Sequence, residues 1–313
     1  MAQTTKKMQT PTPKRAWYQL TRKQGDNLFA YILILPAFVI LALVIFAPIV
    51  RGIYMSFMDY TLATRNNPVW NNFANYIKLF ESGEIFVYFK NTVVFVFSVV
   101  AVEIVFGMII ALLLNTSIIA RNIFRALFFL PWTIPSVVTA LLFSWMLQPQ
   151  YGVLNWLFVN WGLIENPLVW TQHPQLSMVS IVAASAWRLT PMMIVMFLAG
   201  LQSIPAELME AARIDGAHDV QIFRHIMLPL LTPVIATTVL ISIINNFQQF
   251  TIIFNMTNGG PINKTTTLSI ATYTKAFTQF NMGLGSAIGV LWLVALAFFT
   301  FFYNKYVERQ NQL

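Results

Sequence analysis

Between Asn27 and Val50 the chain carries no Asp, Glu, Lys or Arg. A helix rises about 1.5 Å per residue, so about 20 such residues cross the hydrocarbon core of a bilayer. Further charge-poor runs follow, and together they predict six spans, near 28–50, 89–114, 124–147, 176–201, 226–254 and 282–304. Glu103 and Arg188 are the charges that fall near mid-span, in the second and fourth. Only 10% of the 313 residues are charged, 57% are hydrophobic and the mean hydropathy is +0.65. A soluble domain carries about 25% charged residues, so an ordinary soluble enzyme is excluded. The absence of cysteine removes disulfide scaffolds, thiolate metal sites and cysteine nucleophiles. The expected class is an all-α integral membrane protein with six transmembrane helices, whose even number places both termini on one side.

Basic residues set the orientation, because Lys and Arg accumulate on cytoplasmic flanks. With the N-terminus inside, 12 of the 19 Lys and Arg lie inside and 6 outside, and Arg188 is the remaining one. The polar segment 1–27 then reads as a cytoplasmic tail. The apolar run after it has no small-residue cleavage site, so it reads as an uncleaved span. The 148–175 loop has no Lys or Arg and contains Trp156, Trp161 and Trp170, which suit an outer interfacial belt. The net charge of +8 is thus orientation, not affinity for nucleic acid. Pro131, Pro135, Pro229 and Pro233 lie in or beside spans 3 and 5. They fit either ordinary membrane-helix kinks or helices bent around a pathway.

The stretch 203–228 joins spans 4 and 5 on the predicted cytoplasmic side. Pro205 suits a first helical turn, Glu207 and Glu210 sit early where the helix dipole favours anions, and Arg213 sits late. Leu208, Ala211, Ala212 and Asp215 share one face. Gly216 can supply the left-handed residue that ends a helix. A second amphipathic run, with Ile222, Phe223 and Ile226 inward, leads into span 5. Two alanines on a polar helix make a thin knob that another protein's cleft can accept.

The order Glu210-Ala211-Ala212, three residues, Gly216, nine residues, Ile226-Met227-Leu228-Pro229 resembles the EAA signature of importer-type ABC permeases. Leu130-Pro131-Trp132, Ile134-Pro135-Ser136, the stretch 145–155, Trp187-Arg188-Leu189-Thr190-Pro191 and the stretch 282–287 are similar to carbohydrate permeases of the maltose-transporter class. The similarity covers roughly 28–308. The large outer insertion and extra N-terminal spans of the maltose subunit proper are not matched, so maltose itself is not implied. The resemblance implies the type I importer permease fold, with N and C termini cytoplasmic, in a bacterial or archaeal cytoplasmic membrane. It implies that Glu210, Ala211, Ala212 and Gly216 form a coupling helix docked on a cytoplasmic ATPase dimer. It also implies a second homologous permease subunit and an external or periplasmic solute-binding protein. ATP and Mg would bind the ATPase subunit, and no cofactor is expected in this chain.

Candidate pathway residues come from polarity inside spans. Asn245, Asn246, Gln248 and Gln249 form an amide patch in span 5, interleaved with Phe247 and Phe250. Amides and aromatic faces suit a sugar, yet amides also hold helices together at about 0.6–2 kcal/mol each. The sharper expectation is that Asn246 and Gln249 face the cavity. Arg188 is a further pathway candidate. Both it and Glu103 must face the bundle or water, and a mutual pair is open. The stretch 259–265 is read as a turn rather than a phosphate loop, since Asn263 stands before Lys264. His173, His218 and His225 fall on two sides of the membrane, so no metal site is expected, and no nucleophile–base set suggests catalysis. Other solutes remain open: a polyol, glycerol phosphate or an amino acid. An ion-coupled secondary transporter is disfavoured, since Glu103 is the sole mid-span acid.

Overall fold

A computed structural model describes residues 22–62, 68–116 and 119–310; the expected tail up to residue 21 lies outside them. The chain divides into two compact units, 1–51 and 52–313. Helix α1 (Arg22–Leu41), in the first, passes through a π turn, Ala42–Phe46, into α2 (Ala47–Ser56), whose residues from Gly52 onward belong to the second. The helix thus begins within the segment expected to be tail. The π turn ends two residues before Pro48, and a second one, Phe223–Met227, ends two residues before Pro229. Proline removes one N–H and its ring crowds the preceding turn, and a widened turn absorbs both effects without breaking the helix.

In the second unit, two-residue strands β1 (Met58–Asp59) and β2 (Val69–Trp70) pair antiparallel before a short helix, α3 (Ala74–Glu81). Helix α4 (Glu84–Asn115) is span 2 and starts five residues before the expected boundary. Span 3 is not one helix. It consists of α5 (Arg121–Thr133) and α6 (Ser136–Met146), bent by 98°. Pro135 is the cause: it holds Ile134 extended, at φ −79° and ψ 129°, and the helix restarts after it. Helix α7 (Val153–Asn160) follows, then span 4 as α8 (Leu176–Gln202). The 203–228 connection holds α9 (Ala206–Ile214) and α10 (Asp219–Ile222). Span 5 is α11 (Leu228–Phe247), which Pro233 does not break. It stops seven residues short of the expected end, and α12 (Thr251–Thr257) is a separate helix. Helix α13 (Leu268–Tyr273) and span 6, α14 (Met282–Gln310), complete the chain. Five helical segments among the described residues are long and apolar enough to cross a membrane alone, and α5 with α6 makes the sixth when taken as one span.

The core is built on α4 and α8, which form the most extensive helix contact. Phe95, Val96, Val99 and Ala111 of α4 and Ile181, Met193, Ile194 and Phe197 of α8 are buried in the hydrophobic core. Gly107 permits the approach, because a Cβ at that position would lie 2.7 Å from that of Met193. Lipid is as apolar as leucine, so close packing rather than water exclusion holds such helices together.

The molecule has two distinguishable ends. At one, Arg121 Nε donates to the Leu114 carbonyl at the end of α4. There Gln202, at the end of α8, accepts from Arg121 and Arg125 at 3.1 Å each with its amide oxygen turned toward them. Helix α9 lies just beyond. At the other end, Asn91 of α4 donates to the carbonyls of Asn263 (2.7 Å) and Thr266 (3.0 Å), and Glu84 pairs with Lys275 at 2.8 Å.

Candidate coupling loop and translocation path

Helix α9 has no buried residue. Pro205 sits immediately before it, extended at ψ 130°, rather than inside its first turn. Glu207 lies in the first turn and Arg213 in the last, as the helix dipole favours. The helix ends as its sequence suggests. Gly216 is left-handed at φ +84°, its N–H donates to the Arg213 carbonyl, and the Ala217 N–H donates to that of Ala212. These two crossed bonds are the Schellman arrangement, which satisfies the last helical carbonyls. Arg213 meets Asp219 across the turn at 3.4 Å, and both are exposed. Glu210 and Ala211 are exposed and Ala212 is half-buried; Glu210 has no ion pair among the described residues. Ile214 is 87% exposed and Val220 68%. Ile222 is buried and Phe223 and Ile226 half-buried, so the second run does turn inward.

The four amides expected in span 5 part company. Asn245 and Gln248 are exposed, Gln249 is half-buried and Asn246 is buried. Asn246 Nδ2 donates to Glu103 Oε1 at 3.2 Å and to the Ser242 carbonyl at 3.1 Å, and Ser242 Oγ donates to Glu103. Asn246 is therefore turned into the α4–α11 contact instead of facing open space. Gln248 and Gln249 stand in the break between α11 and α12. There Ser269 Oγ donates to the Gln249 carbonyl at 2.8 Å, tying the break to α13.

Glu103 and Arg188 do not pair; Ser242 and Asn246 occupy Glu103. Arg188 Nε instead donates to the Ile134 carbonyl at 3.2 Å. That carbonyl is freed by the bend at Pro135, and nearby side chains must satisfy such groups where water is excluded. The mid-span arginine thus stabilises the broken helix.

Sequence reasoning missed an aromatic ladder. Phe250 stacks on Phe254 with centroids 5.0 Å apart at 21°, Tyr273 lies 5.0 Å from Phe250 and 5.1 Å from Phe254, and Phe277 continues the row at 5.3 Å from Tyr273. The i, i+4 spacing of the pairs 250/254 and 273/277 was the available signal. Their convergence needed the break after α11, which no spacing reveals.

Residues 103–312 match the family described as "Binding-protein-dependent transport system inner membrane component". The chain is 34% identical over 287 residues to the trehalose/maltose transport system permease protein of Thermococcus litoralis, covering 90% of this chain and 95% of that one. It is 32% identical over 289 residues to the sulfoquinovosyl glycerol transport system permease protein of Agrobacterium fabrum, covering 89% and 93%. A chain of the bacterial alginate ABC transporter, solved in complex with alginate pentasaccharide-bound periplasmic protein, has the same fold. Its TM-score is 0.77 at 22% identity, covering 95% of this chain and 98% of that one.

Proposed function

The chain belongs to the family of binding-protein-dependent transport system inner membrane components, and from that premise we propose how this permease subunit of an ATP-driven importer works. Its cargo is a sugar or polyol delivered by a solute-binding protein. ATP hydrolysis resides in a separate ATPase subunit, and a second permease subunit completes the pathway. The end bearing α9 is cytoplasmic, as are both termini, and the membrane is a bacterial or archaeal cytoplasmic membrane.

The observation that carries this reading is α9 itself, a nine-residue helix with none of its residues buried. A helix that short gains little from its own hydrogen bonds, so a partner surface is what orders it best. The alanine pair lets a cleft wall approach closely, Glu210 is available to a basic residue in that cleft, and the Schellman turn at Gly216 fixes the exit angle. ATPase closure then moves α9 and, through α10, the cytoplasmic end of α11. Helix α11 is continuous to Phe247, so displacement reaches the break where Gln248, Gln249 and Phe250 stand. The exposed Gln248 and half-buried Gln249 beside stacked rings suit hydroxyl-rich solutes, by hydrogen bonds and by ring-face contact. A phosphate ester would call for free cations, whereas Arg188 is engaged with Ile134.

The test is reconstitution of the chain in liposomes with its ATPase, second permease and binding protein. Sugar uptake that requires both ATP and binding protein is expected. Uptake of a sugar by this chain without an ATPase would overturn the proposal.

A further inference from the structure

Two arginines at the α9 end of the molecule lack a counter-charge. Arg121 and Arg125 stand one turn apart on one face of α5, within its first two turns. Like charges at that spacing repel, and a helix N-terminus disfavours cations. Nothing in the helix offsets either effect: its first turn has no acid, and Ala120 before it offers no side-chain cap. Neither arginine makes an ion pair among the described residues.

Their partners are polar but uncharged. A guanidinium carries five N–H donors. Among the described residues, those of Arg121 and Arg125 meet the Leu114 carbonyl, from Arg121, and the Gln202 amide oxygen, from both. Arg125 Nε is buried without a partner. Both side chains are half-buried, turned into the junction where α4 ends, α5 begins and α8 ends. Two cations gathered around one neutral oxygen leave donors and positive charge for an anion.

Depth selects the anion. Both ends of α5 meet α8, through Arg188 at the middle of that helix and through Gln202 at its end. The 13 residues of α5 rise about 20 Å between these points. Half of a bilayer's hydrocarbon core is about 15 Å deep, and half of its full thickness about 20–22 Å. Arg121 therefore lies at the level of the headgroups, and Arg125, one turn lower, at the edge of the hydrocarbon. The surroundings are apolar: Ile109 and Leu113 near the end of α4 and Ile119, Ile123 and Phe124 at the start of α5 are exposed. Resting on the permease reading above, which makes this end cytoplasmic, we infer that Arg121 and Arg125 bind the headgroup phosphate of an anionic phospholipid of the inner leaflet. Basic pockets between spans on the cytoplasmic side recognise such headgroups. Arginine suits the task, because its planar fork meets phosphate bidentately and keeps its charge beside hydrocarbon. The bound lipid ties the ends of α4, α5 and α8 together just before α9 begins.

Titration of phosphatidylglycerol onto the delipidated, detergent-solubilised transporter, assembled with its partner subunits and read by native mass spectrometry, tests this. Arg125→Gln spares the bond from Arg121 to α4 and should raise the lipid concentration for half-occupancy by about fivefold. Replacing Arg121 by Gln as well should raise it by about thirtyfold, and Arg125→Lys should fall between wild type and Arg125→Gln. Phosphatidylcholine should bind equally weakly to all. Half-occupancy that Arg125→Gln and the double variant leave unchanged overturns the inference. So does displacement of the lipid by inorganic phosphate, which would make the site one for free phosphate. Loss of the ATPase subunit from Arg125→Gln, with lipid binding unchanged, would assign the arginine to that subunit and overturn the inference too. ATP-driven uptake by the wild-type preparation is measured separately; its failure would count against the permease reading and not against lipid binding.

Discussion

Helices α8 and α9 are neighbours in sequence and opposites in use. Of the 27 residues of α8, 15 are buried, including Met193 and Phe197 beside Gly107 of α4. Of the nine residues of α9, none is. Three residues separate them, Ser203 to Pro205, and a hydrogen-bonded turn at Ser203 closes the first helix. Helix α8 uses its surface to hold the bundle together, whereas α9 buries none of its residues in it and, on the reading proposed above, is free for another chain. The difference teaches where energy is stored in such a subunit. Damage to α8 should appear as lost stability, and damage to α9 as lost coupling in a protein that still folds.

The largest effect is expected at the α4–α8 contact. Phe197→Ala removes a fully buried ring and should cost about 3–5 kcal/mol, seen as a lower unfolding temperature in detergent. Next comes the buried polar cluster. Glu103→Leu leaves Ser242 and Asn246 without their shared acceptor and should cost about 1–3 kcal/mol, while Glu103→Gln should retain most of the stability; equal losses in both would show that charge, not hydrogen bonding, matters there. Gly216→Val meets a φ of +84° and should cost only about 1–2 kcal/mol locally, yet it should abolish most ATP-driven uptake. If stability fell as far as with Phe197→Ala, the separation between the two helices would fail. The smallest effect belongs to Arg213→Ala, which breaks an exposed ion pair and should change stability by under about 1 kcal/mol.

Charge and spacing alone make the apolar spans and the short helix between the fourth and fifth readable. Uncharged runs locate the membrane segments, and Glu210, Ala211, Ala212 and Gly216 announce a helix with a left-handed end. Gly216 is left-handed as its position suggests, because a helix stop is local chemistry. The inward faces are not legible in the same way. A uniformly apolar helix has no polar side to mark its lipid face, so nothing in the sequence tells Asn246 from Asn245. Only the packing of α11 against α4 decides that Asn246 meets Glu103 and that Asn245 stays exposed. The prolines of span 3 allow either a kink or a sharp bend. The bend's angle, and the use of Arg188 to satisfy the freed Ile134 carbonyl, depend on where α8 passes, which is a tertiary fact.

The cysteine-free sequence makes one measurement especially direct. Ile214→Cys in the assembled transporter should cross-link, through a short thiol- and amine-reactive reagent, to the ATPase subunit in high yield, while Ile262→Cys at the opposite end should give no such product. An ATPase cross-link from position 262, or none from position 214 in an active complex, would contradict the assignment of α9 as the docking helix.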